Sequence, residues 1–378
     1  MPYSVRWAAR ACLAASLVGL GAATVPVASA AATESGTGVP LGAHLVRVTS
    51  AAAGAGWIAR DVSSTGAIVD AYSHKPSAGD TADAVLALVA AGYGANQVKA
   101  AVGWLKHHFG PYVATSGVDN PGSLGLLTLA AVAAGANPTR FGGTSKSNDL
   151  VTRLLATERL RGTSAGVFGS PTSSTAYIQS LALLALAAVK DSSGEPAKLG
   201  ETYLAHQQCA DGGWEFSRPT LTTPCPAPNA KTFTGPDTNS TALAVMATVA
   251  VGGRFGHSPI AFFKHSEESD ASFGYFGVAG DGQVGDPDST AEVIQALIAL
   301  GAINDTQFVR NGITPKRALR HFQYWCHKPP SQRGEYRYGT SPSQFATLQA
   351  VPAAAGVVFP ERPRKLSVAE PRFVCSTA

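Results

Sequence analysis

Asp83 and Glu292 each stand two positions after a threonine that opens a long apolar segment. A carboxyl among apolar neighbours can act as a general acid or as a polar anchor for a ligand. Tyr177, Gln179, Asn239 and Gln295 lie near the starts of similar segments. Together these six are the candidate cavity residues. They can equally cap helices or satisfy buried backbone. Asp286-Pro287-Asp288 brings two carboxyls closer together, but it reads better as a turn plus cap entering "STAEVIQ". "HFQYWCH" (321–327) offers His321, Cys326 and His327. One such cluster without a matching partner does not define a metal site, and a disulfide cysteine flanked by surface histidines explains it. "GTSAG" (162–166) lies in a helical pattern and makes no nucleophile elbow. "GTSPSQ" (339–344) is no Ser-x-x-Lys, and no glycine-rich phosphate loop is present.

The densest cluster is "QQCADGGWEF" (207–216). Gln207 and Gln208 end a helical stretch. Asp211, Gly212 and Gly213 make a turn that needs positive φ, and Trp214 then folds back. A glutamine amide both donates and accepts, so Gln208 can bridge backbone groups of neighbouring turns. Weaker copies occur at "SAGVFGS" (164–170), "ASFGYF" (271–276) and "RGEYRY" (333–338). A catalytic site occurs once, whereas a structural clasp recurs. Gln208, Asp211, Gly212, Gly213 and Trp214 are therefore read as a clasp between repeats.

A repeat must position these residues. Apolar segments start at Thr81, Leu124, Thr175, Thr241, Thr290 and Phe345, at steps of 43, 51, 66, 49 and 55 residues. Most reach glycine, the usual helix stop, eleven positions on. Asp80, Ser174, Ser240 and Ser289 precede the threonines as expected caps. The segments are apolar on nearly every side, so they are expected as buried inner helices over 81–91, 124–134, 175–188, 241–251, 290–300 and 345–355. Stretches at 56–72, 96–109, 147–160, 198–208, 258–269 and 314–325 alternate apolar and charged residues at helical spacing, as outer helices do. Six short-linked hairpins can close into a ring. The expected fold is all-α, an α/α toroid of inner and outer helices over 56–356, after a segment 31–55 and before a tail 357–378.

Residues 1–30 have the order of a secretory signal: Arg6 and Arg10, an apolar run, then "VPVASA". Release of the chain outside the cell is the expectation, with no span in the mature chain. Removing the two arginines takes the net charge from +4 to +2, which leaves no electrostatic case for nucleic acid or an anionic membrane. Four cysteines remain, Cys209, Cys225, Cys326 and Cys375. Export permits disulfides. Of three pairings, the local one, Cys209–Cys225 with Cys326–Cys375, is expected.

"QQCADGGW" followed by "PDTNSTALAVMA" resembles the glutamine–tryptophan repeat of squalene–hopene and oxidosqualene cyclases, and the similarity runs over roughly residues 56–356. More narrowly, the chain looks like the small exported actinobacterial prenyltransferase/squalene-oxidase repeat proteins. The resemblance implies the toroid that those cyclases share with protein prenyltransferase β subunits and the cobalamin carriers intrinsic factor and transcobalamin. It does not carry over the enzymes' motifs: there is no Asp-x-Asp-Asp, no aspartate-rich magnesium motif and no Asp-x-Cys zinc motif. The expectation is a non-catalytic binding protein for a small hydrophobic or corrinoid-like ligand, without metal or cofactor and with or without a partner chain. The alternatives are a cyclase-like enzyme using a lone carboxyl, Asp83 or Glu292, and a structural or protein-interaction module of the envelope.

Overall fold

The computed structural model describes residues 48–218, 221–276 and 285–369. The proposed signal, residues 1–30, and Cys375 lie outside them. Thirteen α-helices run in chain order among the described residues: α1 (Ser50–Asp61), α2 (Ala78–Ala91), α3 (Ala95–His108), α4 (Gly110–Val113), α5 (Pro121–Ala133), α6 (Leu150–Ala156), α7 (Ala176–Ala188), α8 (Glu195–His206), α9 (Thr238–Ala250), α10 (Pro259–Ser266), α11 (Pro287–Ala299), α12 (Pro315–His321) and α13 (Gln344–Ala355). Helices α2, α5, α7, α9, α11 and α13 pack each on the next, and α13 returns to α2. That closes the inner ring. No described helix is long and apolar enough to cross a membrane.

Five of the six inner helices start earlier than their apolar pattern, α7 starts one residue later, and the caps lie elsewhere. Ser77, Asn120, Thr175, Asp237, Asp286 and Ser343 are the capping side chains, each accepting from a backbone N–H of the first turn. Asp80, Ser240 and Ser289, expected as caps, sit inside that turn, and Ser174 precedes the true cap, Thr175. The reason lies in the threonines. Thr81, Thr241, Thr290 and Thr347 occupy the fourth helical position. Their hydroxyls accept from the backbone N–H of Ile68, Trp214, Phe273 and Tyr336, at 2.8 to 3.0 Å. Each of these four inner helices thus grips the chain arriving from the previous outer helix.

Gln208 makes four backbone bonds. Its Nε2 donates to Gly212 O and His257 O, and its Oε1 accepts from the N–H of Gly256 and of His257, all at 2.9 to 3.0 Å. It ties its own turn to the start of α10. Trp214 is buried and donates from Nε1 to Leu204 O at 2.9 Å. Gln323 repeats the arrangement across the ring's seam. It donates to Gly334 O and to Ser50 O, both at 2.9 Å, joining α12 to α1. Phe168, Phe273 and Tyr336 are fully buried at positions matching Trp214.

Four two-stranded ribbons accompany the helices, pairing Ile68–Val69 with Pro76–Ser77, Ala114–Thr115 with Val118–Asp119, Trp214–Glu215 with Pro236–Asp237, and Tyr336–Tyr338 with Ser341–Ser343. The first outer helix, expected over 56–72, ends at Asp61, because Gly66 at φ 95° turns the chain into the first ribbon. Residues 357–369 lie against the ring: Ser367 N–H donates to Gly92 O, and Arg364 donates to Ala90 O, both at 2.9 Å.

Gly212 sits at φ 93°, and a Cβ there would stand 2.2 Å from Ser258 O. Gly212→Ala is expected to cost ~2–3 kcal/mol, from left-handed strain plus a backbone clash. Chemical denaturation measures it, and an unchanged midpoint would contradict the close approach.

Cys209 and Cys225 form a disulfide. Closing a loop of separation 16 corresponds to roughly 3 kcal/mol in the chain-entropy picture. Cys326 is also disulfide-bonded. Since the first two cysteines hold each other, its partner lies outside the described residues. Non-reducing peptide mapping is expected to find it at Cys375. A Cys225–Cys326 peptide would contradict both the geometry and the expected pairing.

Candidate functional site

Six equivalent positions meet on the toroid axis. The sixth residue of each inner helix is, in ring order, Asp83, Leu126, Leu181, Leu243, Glu292 and Gln349. All six line one cavity. The side chains divide by sector. Glu292, Gln349 and Asp83 come from the adjacent helices α11, α13 and α2. The three leucines come from α5, α7 and α9 opposite. One turn further along, Leu86, Leu129, Gln295 and Pro352 line the same space, and Phe359 enters it from the segment after α13. Gln295 donates from Nε2 to Val357 O at 3.0 Å and so fastens that segment beneath the ring.

The cavity is small. Its free volume is about 30 Å³, whereas one water needs roughly 10–15 Å³ on the same measure. As it stands it holds about two waters. It has no lysine, arginine or histidine in its lining.

Glu292 is strongly perturbed in this wall. Burial, and then the nearby Asp83 charge, push its carboxyl up to about 8. Its Oε2 is buried and accepts no hydrogen bond, as is also true of Gln349 Oε1. One turn earlier, Asp288 is held well above the usual carboxylate range by burial, then by Asp286 and Glu292. Asp286 is raised less, to about 6, because it caps α11: it accepts from Ser289 N–H at 2.7 Å and from Ser289 Oγ at 3.0 Å. Burial, with the charges of Asp83 and Glu292, raises the Tyr177 phenol, which therefore stays neutral.

Four of the six sequence candidates, Asp83, Tyr177, Glu292 and Gln295, line this cavity. Gln179 does not. It is the fourth residue of α7 and takes the place of the gripping threonine: its Oε1 accepts from Phe168 N–H at 2.9 Å, and its Nε2 donates to Gly166 O at 3.1 Å. Asn239 lies in the first turn of α9, where Thr238 Oγ1 donates to its Oδ1 at 3.1 Å, and it is outside the lining. Gln349 and Phe359 were missed. Aligning the six inner helices from their caps, instead of from their apolar runs, would have put Gln349 in register with Asp83 and Glu292. Nothing in the sequence marks Phe359. His321, Cys326 and His327 do not form a cluster. Among the described residues, only Cys209, Glu215 and Cys225 bring three potential ligand atoms together, and there both sulfurs are spent in the disulfide.

A closed ring of six inner helices inside an outer layer defines the α/α toroid of the terpenoid cyclase and prenyltransferase type. No protein-family model and no curated protein sequence matches the chain. Solved structures do. One is described as a novel alpha-amylase from Clostridium perfringens, with a TM-score of 0.55 and 13% identity over 84% of this chain and 99% of that one. Another is a type II terpene cyclase from Scytonema in complex with its product, merosterolic acid A, with a TM-score of 0.50 and 14% identity over 81% of this chain and 95% of that one. At such identities the likeness is one of fold.

Proposed function

We propose that the protein is an exported, non-catalytic binding protein whose ligand enters the axial cavity. The observation that carries this is the division of the six-residue ring into an acceptor-bearing half and a leucine half. Such a wall suits a small molecule with one polar end, since a few placed polar groups fix orientation while apolar walls supply burial. A free volume of about 30 Å³ leaves no room for a corrinoid inside the ring. A larger ligand would have to sit on the rim, with a partner chain completing the site.

The acid–base chemistry argues against the cyclase alternative. An alkene is a weak base and needs a strong acid. Glu292, at about 8, is a poorer proton donor than an ordinary glutamic acid by roughly 5 kcal/mol, at about 1.4 kcal/mol for each tenfold in acidity. Likeness to an amylase or to a terpene cyclase does not decide between the two readings, since one fold hosts many activities.

Native mass spectrometry of the mature chain, recovered from the medium of an exporting host, is the test. The expected result is a retained small molecule that leaves on unfolding, and no change in a polyprene incubated with the protein. Cyclised product that vanishes in Glu292→Gln would overturn the reading.

A further inference from the structure

The polar half of the axial ring has an unusual inventory. Glu292 Oε2 and Gln349 Oε1 are buried acceptors with no donor, and the Asp83 carboxyl, which has interactions of its own, lines the same space from the next helix. No basic side chain lines the space. A buried acceptor left unmade costs free energy, so this wall favours a guest that brings hydrogen-bond donors and positive charge. A metal fits poorly. Among the described residues no three potential metal ligands converge here, and the neutral amide of Gln349 holds a metal less well than a carboxylate. An ammonium group has three N–H donors and no acceptor, which suits the two unpartnered acceptors of Glu292 and Gln349 together with the negative charge of Asp83 beside them. The leucine half would cover the carbon to which it is attached. The space, about two waters in size, suits a methylammonium-sized group.

We propose that the axial cavity binds the primary ammonium group of a small amine, held by Glu292, Gln349 and Asp83, with its alkyl carbon against Leu126, Leu181 and Leu243. This rests on the binding reading above and names the chemical class of its ligand. Without a guest, Glu292 keeps its proton at neutral pH, because burial and the Asp83 charge raise its carboxyl to about 8. The other titratable groups near it are Asp288 on its own helix and Tyr177 on α7, and neither supplies positive charge. Binding therefore exchanges one cation for another. The Glu292 proton leaves for solvent as the ammonium enters. Affinity is expected to rise about tenfold per pH unit from about 6 to about 8, then level off until the amine itself loses its proton.

Calorimetric titration of the mature chain with methylammonium chloride, at about pH 9, tests this. Saturable binding is expected, weakening about tenfold for each unit below about pH 8. Methanol and acetate, which lack the cationic donor, should not bind. Glu292→Gln, which keeps shape and fold, should bind at least tenfold more weakly and lose the pH dependence. Gln349→Leu, which leaves the charge in place, should weaken binding several-fold. No saturable binding at tens of millimolar, equal binding of methanol or potassium, or unchanged affinity in both variants would overturn the proposal. A different small molecule retained in the mass spectrum would then leave the binding reading intact with the wrong ligand class. An empty protein in both experiments would remove both.

Discussion

Trp214→Ala is expected to lower the melting temperature by about 5–8 °C. The indole is 1% exposed and meets Phe255 edge-on at 6.4 Å between ring centres. Truncating a buried tryptophan costs ~3–5 kcal/mol, part lost transfer energy and part cavity. It also removes the indole donor from Leu204 O, which keeps the Gln207 N–H as its other donor. Spread over the unfolding entropy of about 320 residues, that loss gives the stated shift. The Trp214 backbone N–H still reaches Thr241 Oγ1, so the grip on α9 survives and the fold with it. Trp214 does not line the axial cavity. Ligand affinity should therefore be unchanged once the variant is folded. A thermal melt with circular dichroism decides the point. An unchanged melting temperature would mean that the tryptophan is exposed in solution and free to bind something.

Glu292→Gln acts in the opposite direction, and only above acidic pH. In the unfolded chain a glutamate titrates near about 4.3. In the fold it titrates at about 8. Below about pH 4 both states hold the proton, and the carboxyl carries no penalty. Between about 4 and about 8 the unfolded state binds fewer protons than the folded one, so stability falls as pH rises. Above about 8 the fold carries the full cost of a buried charge. Glutamine removes the ionisation. The substitution is expected to be near neutral at about pH 4 and to stabilise by up to about 5 kcal/mol at about pH 9, at 1.4 kcal/mol per unit. Urea midpoints of both proteins across that range give the difference directly. A difference that does not grow with pH would show that Glu292 ionises as readily in the fold as out of it, and would remove the basis for its long-lived proton.

The architecture was legible because each layer of it rests on local chemistry. Segments apolar on all sides have to be buried on all sides, and the glycines that follow them have to stop them. Glycine and aromatic pairs recurring at "DGGW", "AGVF" and "GEY" mark one structural device several times over. The cap positions were misread for an instructive reason. Serine and aspartate before threonine have the right chemistry for a cap, but Asp237 and Asp286, three residues earlier, have it too. The choice is made by the threonine hydroxyl, which is engaged with a strand from the preceding repeat.

The sequence by itself determined the repeat, the all-helical toroid, the clasp at Gln208 and Trp214, and the acidic residues that enter apolar helices. Those are properties of period, turn chemistry and hydropathy, each set within a dozen or so residues. Which polar residues face one another was decided only by the tertiary structure. Asp83 belongs to the first inner helix, and Glu292 and Gln349 to the last two. They become neighbours because Gln323 and Gly334 seat the end of the chain on α1 and close the ring. Gln179 and Gln349 stand at the fourth and sixth positions of their helices, so the first bonds Phe168 and Gly166 while the second faces the axis. The raised carboxyl of Glu292 follows from ring closure: it is the low polarity of a space walled by six helices, and no helix makes that alone.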